Sequence, residues 1–230
     1  MNPITTLEPI AKANVVVSWT GGKDGCLSCY QAMSDGFNVT HLLNFRDTKK
    51  KGSHTINPKL LLAQMQSTGI PSIWTDFVSY EQEFKKVIQE LNKNNAVIEG
   101  AVFGHIRTHD NLVNRICNDL GIKPIMPLWK LDSEQIVSDL ADAGFKAIIV
   151  SVKASLLGKE WLGRTIDRKF LRDLRKYNSA IDACGEDGEF HTLVIDGPPF
   201  KHRFKILDSK KILEAGYWFL DVSLFEVEEK

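Results

Sequence analysis

The residues best suited to chemistry lie in two dense clusters far apart in the chain. The first, Ser18-Trp19-Thr20-Gly21-Gly22-Lys23-Asp24-Gly25, follows the apolar run Val15 to Val17 and leads straight into a helix-forming stretch. A strand that ends in small residues and turns into a helix leaves several backbone N–H groups unpaired and aimed at one point, where an anion is favoured. Gly21 and Gly22 let the backbone approach a ligand, Thr20 adds a hydroxyl, and Lys23 adds a full positive charge. This pattern suits a phosphate or pyrophosphate, although it also serves as a plain tight connection. It is neither a P-loop, which needs four residues between its first glycine and Gly-Lys-Ser/Thr, nor a Gly-x-Gly-x-x-Gly turn.

The second cluster is Cys184-Gly185-Glu186-Asp187-Gly188-Glu189-Phe190-His191-Thr192, which gathers three carboxylates and a histidine just before an apolar strand. A solvated acidic turn accounts for such a composition. Strand alternation, however, puts Glu189 and His191 on one face, and Phe190 and Leu193 are both buried only if the register shifts or both faces are covered. Glu186 and Glu189 are candidates to accept a proton. Arg164, after Trp161 and Gly163, carries a fork that suits a carboxylate or a phosphate, or else an inter-domain salt bridge. Trp161 is a ring platform or a core residue. His54 and Asn57 stand at the edge of a helix, where Asn57 is explained as a cap. Asp24 is a candidate ligand of Mg²⁺ or a first-turn acid facing the helix dipole.

These residues need elements to hold them. The pattern predicts strands over 14–17, 38–45, 72–76 and 96–104, alternating with helices over 26–34, 58–68, 79–93 and 110–120. Such alternation implies α/β architecture with a doubly wound parallel sheet of five strands, whose ligands sit beyond the C-terminal strand ends where strand order reverses. The prolines over 124–129 mark a boundary. Beyond it come a helix over 133–143, a strand over 146–152, a helix capped by Asp167, and strands over 190–195, 202–207 and 217–227. The expected division is a parallel α/β domain over 1–127 that carries the phosphate-type loop and a smaller α+β domain over 128–230.

Bulk properties narrow the field. The 230 residues carry 29 basic and 29 acidic side chains, so no net field attracts polyanions and a general nucleic-acid binder is disfavoured. The N-terminal stretch lacks the apolar core of a signal peptide or membrane span, which points to a cytoplasmic location. Cys26 and Cys29 lie where a helix dipole lowers a thiol pKa, yet no second pair at metal spacing accompanies them, and they read better as small apolar residues. The apolar segment over 217–228 could pair with another chain to give a homodimer, or be covered internally.

Residues 18–26 resemble the PP-loop of the N-type ATP pyrophosphatases, usually Ser-Gly-Gly-x-Asp-Ser, with Thr20 replacing the first serine and Gly25 the second. The pieces HTIN, GIP, EWLGR and GEDGEFHTLVIDGPPF follow in order, and together they are similar to the diphthine-ammonia ligase (diphthamide synthase) family over about residues 15–200. His191 is spelled as in bacterial relatives; eukaryotic members more often carry Glu there. The resemblance implies an ATP-dependent carboxylate–ammonia ligase that forms an adenylate, releases AMP and pyrophosphate, and amidates diphthine on elongation factor 2, or a metabolite in organisms without it. It implies ATP and Mg²⁺ held by Ser18, Trp19, Thr20, Gly21, Gly22, Lys23, Asp24, Gly25, Phe45, His54 and Gly104. It places Trp161, Gly163, Arg164, Glu186, Gly188 and His191 on the substrate side, with Lys23, Asp24, Arg164, Glu186 and Glu189 catalytic. Two alternatives stay open: a pyrophosphatase of the same architecture with another small acceptor, and a nucleotide-binding protein without turnover, which the missing hydroxyl at Gly25 favours.

Overall fold

The computed structural model describes residues 12–47 and 56–230. Five parallel strands form the first sheet: β1 (Asn14–Ser18), β2 (Asn38–Asp47), β3 (Ser72–Phe77), β4 (Gly100–Val102) and β5 (Lys123–Ile125). Their order is β3-β2-β1-β4-β5, so the direction of winding reverses beside the central β1. Four helices connect them: α1 (Lys23–Ser34), α2 (Pro58–Ser67), α3 (Tyr80–Lys93) and α4 (Asp110–Leu120). Val15 and Val17 face one core and Val16 the other, as expected for a central strand covered on both sides.

Several features of the elements depart from expectation. Helix α1 starts at Lys23, since extended Gly22 delivers the chain directly into its first turn. Strand β4 is only three residues long, because the Ala96 and Ile98 N–H groups turn back to the Leu91 carbonyl and Asn92 Oδ1 of α3, and Gly104 packs against the backbone at Asp24 and Gly25. Pro124, which suggested a boundary, lies inside β5, an edge strand that tolerates a missing donor.

After β5 the chain forms α5 (Ser133–Asp142), β6 (Lys146–Lys153), a single 3-10 turn (Lys159–Trp161), α6 (Arg168–Tyr177), β7 (Phe190–Asp196), β8 (His202–Glu214) and β9 (Tyr217–Glu229). Their strands make a separate antiparallel sheet in the order β7-β6-β9-β8. Helix α6 is capped by Asp167, whose carboxylate accepts the Phe170 N–H. Strand β8 runs past the expected end to Glu214, because its charged residues suit an exposed edge. Strand β9 is internal, paired with β8 along its length and with β6 over Tyr217 to Phe219. Phe190 and Leu193 are both buried: the β6–β7 register shifts between Ile149 and Ser151, and β7 is covered on both faces.

The two sheets share one apolar core, formed by Val15 and Val17 of β1 with Leu27 of α1 and Met65 of α2 on one side and by Ile149, Phe190, Val194 and Phe204 of the second sheet on the other. Polar contacts tie them at the same place. Val194 N–H donates to the Gly21 carbonyl, and Gln64 Nε2 donates to both the Gly21 and Val194 carbonyls. The second sheet therefore lies directly on the loop after β1.

Candidate active site

The loop between β1 and α1 is built to leave donors open. Trp19 turns into the core, where its indole N–H donates to Gln64 Oε1. Gly21 adopts φ +79°, and a Cβ there would lie 2.6 Å from Leu61 Cδ1, so both conformation and space require glycine. With Trp19 and Gly21 fixed, the N–H groups of Thr20, Gly22 and Gly25 have no partner among the described residues. Lys23 N–H is taken by Thr192 Oγ1 of β7 at 3.1 Å. Ser18 Oγ is paired with Tyr80 Oη at 2.9 Å.

Lys23 is 2% exposed, and its ammonium donates to Asp24 Oδ2 at 2.7 Å and to the Cys184 carbonyl at 2.6 Å. Burial pulls the Lys23 pKa down, but the charge and hydrogen bond of Asp24 outweigh it, so the amine stays protonated well above neutral pH. Burial also pushes Asp24 up, with Lys23 opposing. The other oxygen of this carboxylate, Oδ1, is buried without a partner among the described residues. Thus one ammonium joins the phosphate-type loop to the acidic cluster.

The cluster itself is a loop braced by two carboxylates. Glu189, 4% exposed, accepts the Asp182 N–H on Oε1 and the Asp187 N–H on Oε2. Asp182 Oδ1 accepts the N–H groups of Cys184 and Glu186, while Oδ2 receives Ser133 Oγ and Arg107. These bonds leave the Glu186 side chain facing the cavity. Burial, followed by the nearby Asp24 charge, raises the Glu186 pKa above its ordinary value.

The two loops enclose a cavity of about 410 Å³. Of the residues singled out from the sequence, Ser18, Thr20, Gly22, Lys23, Asp24, Gly25, Gly104, Glu186, Gly188 and His191 line it. Gly104 belongs there because a Cβ would come within 2.7 Å of the backbone at Asp24 and Gly25. His105 and His109 stack at 4.9 Å on the same wall, and burial lowers His105 to about 4, so it is neutral at physiological pH.

Other candidates lie elsewhere. Trp19 and Gly21 support the loop from the core side. Phe45 packs against Tyr80 and Phe84. Glu189 points into its own loop. Trp161 is buried against Phe170 and Tyr177, while Arg164 stacks on the Trp161 ring and pairs with Asp173. Gly163 lines a second cavity of about 580 Å³ beside Arg203 and Leu220. His54 falls outside the described residues. Sequence reasoning did not single out Asp182, Ser151 or the backbone carbonyl of Cys184. The only available signal for Asp182 was a carboxylate two residues before a glycine-rich turn.

Gly25 occupies the third position of α1, and a Cβ there meets only Ser18 O at 3.5 Å and Thr20 N at 4.0 Å, ordinary contacts. Gly25→Ser is therefore expected to fold, to gain about 0.5 kcal/mol of stability from helix propensity, and to bind inorganic triphosphate more tightly by adding a hydroxyl beside the open N–H groups. Urea titration and calorimetry check this; a destabilised variant would show that the first turn lacks the room.

A parallel sheet whose reversal point carries open N–H groups, a buried lysine and an acidic facing loop defines an α/β protein of the PP-loop type. Residues 13–124 match the diphthamide synthase N-terminal domain and residues 132–229 the diphthamide synthase C-terminal domain, and the chain belongs to the diphthamide synthase family. It is 25% identical to the diphthine–ammonia ligase of Mus musculus, over 92% of this chain and 91% of that protein. The diphthine–ammonia ligase of Homo sapiens is 25% identical over 89% of this chain and 86% of its own length. That of Schizosaccharomyces pombe is 27% identical over 85% of this chain, but the match spans only 36% of the longer yeast protein. Among the described residues no helix is long and apolar enough to cross a membrane.

Proposed function

We propose that this protein is an ATP-dependent ligase that joins ammonia to a carboxylate; its relatives carry the name diphthine–ammonia ligase. The observation that carries the reading is the meeting of the two loops at Lys23, which puts open phosphate donors and a cavity-facing carboxylate on opposite sides of one small space.

In this reading the triphosphate of ATP lies on the N–H groups of Thr20, Gly22 and Gly25, with Lys23 offsetting its charge. The acceptor carboxylate attacks the α-phosphorus and pyrophosphate leaves, giving an acyl-adenylate. Ammonia then attacks the acyl carbon, AMP leaves with the former carboxylate oxygen, and Glu186 takes the surplus proton. Its raised pKa keeps that carboxylate basic enough for the task. Asp182 and Glu189 hold the Glu186 loop in place rather than touching the reacting atoms.

The unpartnered Asp24 Oδ1 fits a Mg²⁺ ion, which takes one or two carboxylates and completes its shell with water and phosphate oxygens. Among the described residues no group of three or more His, Cys, Asp or Glu side chains is arranged to hold a metal ion, so Asp24 is the one protein ligand this reading assigns to it. When bound, Mg²⁺ supplies charge neutralisation for the leaving pyrophosphate. The acceptor we assign is diphthine on elongation factor 2 or, where that modification is missing, a small carboxylic acid.

The test is to incubate the protein with ATP, Mg²⁺ and ammonium, with and without diphthine-bearing elongation factor 2, and to follow AMP. AMP that forms only with the acceptor supports ligation. Tight nucleotide binding without AMP under any acceptor supports a nucleotide-binding protein instead.

A further inference from the structure

The wall of the cavity opposite the phosphate-type loop belongs to the second sheet. In its register Ser151 of β6 pairs with His191 of β7 on one side and with Phe219 of β9 on the other. Directly paired residues share a face, and all three line the cavity. The register shift before Ser151 brings neighbouring Val150 to the cavity as well, which is how a bulge re-aims side chains beside a site.

Ser151 is anomalous within this row. It is 2% exposed, yet its hydroxyl has no hydrogen-bond partner among the described residues. Leaving a buried polar group unsatisfied is costly, and such groups in folded proteins call for a specific explanation. Ser28, on α1, is equally buried and unpartnered but does not line the cavity, so it provides a matched control.

We propose that Ser151 is a hydrogen-bonding contact for the acceptor, at the centre of a subsite formed by His191, Ser151 and Phe219. The subsite takes a carboxylic acid carried on a ring. The ring packs beside Phe219 and Val150, and a carboxylate oxygen accepts the Ser151 hydroxyl. The carboxylate is thereby presented across the cavity to the phosphate-type loop. The inference rests on the ligase reading, because it identifies the wall that holds the molecule to be activated.

Its test is the binding of 3-phenylpropionate, with acetate as the ringless control, to wild-type, Ser151→Ala and Ser28→Ala proteins by saturation-transfer NMR, with and without ATP. Wild type is expected to bind 3-phenylpropionate more tightly than acetate. Ser151→Ala should weaken it roughly tenfold, leaving ATP affinity unchanged, whereas Ser28→Ala should leave both unchanged. Thermal unfolding adds a readout independent of any ligand. Because Ser151→Ala removes an unsatisfied buried hydroxyl, its midpoint should equal or exceed that of wild type. Equal 3-phenylpropionate affinity in wild type and Ser151→Ala, no preference over acetate, or a lowered midpoint for Ser151→Ala would each overturn the subsite. A wild-type protein that forms no AMP with any acceptor would instead overturn the ligase reading, and the binding arms would still report on this wall.

Discussion

Lys23→Ala is expected to form no detectable AMP, a loss of at least about 10³-fold in turnover, as befits removal of a preorganised charge from a phosphate site. The same substitution should be costly to the fold. The ammonium bonds Asp24 and the Cys184 carbonyl inside the protein, and deleting one member of a buried pair typically costs about 3–5 kcal/mol. Lys23→Met separates the two effects by keeping apolar bulk beside Phe190, whose ring lies 5.9 Å from the ammonium. That variant should be the more stable of the two and equally unable to produce AMP. Urea titrations of both, alongside an AMP assay, check the expectation; wild-type turnover in Lys23→Met would remove Lys23 from the phosphate site.

Glu186→Gln should bind ATP with near-normal affinity and lower amide formation by about 10²- to 10⁴-fold, the usual contribution of a positioned base. Little loss of stability should accompany it, because Glu186 is anchored through its backbone N–H to Asp182 and its side chain faces the cavity. The pH profile sharpens the test. Burial and Asp24 raise the Glu186 pKa, so the carboxylate becomes an available base only as pH rises through that raised value. Wild-type amide formation should therefore climb across this limb, and the limb should be missing from the residual activity of Glu186→Gln. A sharp fall in unfolding free energy with an unchanged pH profile would make this carboxylate part of the brace.

The parts of the molecule that local physics governs could be read from the sequence. Asn57 accepts the Lys59 N–H as an N-cap, Asp167 caps α6, and Gly36 and Gly121 take the left-handed conformation after α1 and α4. Each follows from a residue type within one turn of a helix end. The alternation of strand and helix likewise carried the parallel sheet and the place of the loop at its reversal point.

What escaped depends on how loops and strands fold on one another rather than on residue types at a helix end. Glu186 and Glu189 are spelled alike within one turn. Only the folded loop shows that Glu189 turns inward to brace two N–H groups while Glu186 faces the cavity. The motif around Trp161 and Arg164 is likewise met by neighbours, Phe170, Asp173 and Tyr177, supplied by the following helix. The pairing of Ser151 with His191 and Phe219 needs the register of three strands, one of them displaced by a bulge. Periodicity gives the face of a strand but not its register against a strand many residues away.

The most direct measurement is a crystal structure of the protein with Mg²⁺ and an ATP analogue bearing a methylene bridge between its α and β phosphates. The account predicts the β and γ phosphates on the N–H groups of Thr20, Gly22 and Gly25, with the α-phosphorus turned toward the Glu186 loop and the His191–Ser151–Phe219 wall. A nucleotide bound in the second cavity beside Arg203, or one whose α-phosphorus faces away from Glu186, would contradict it.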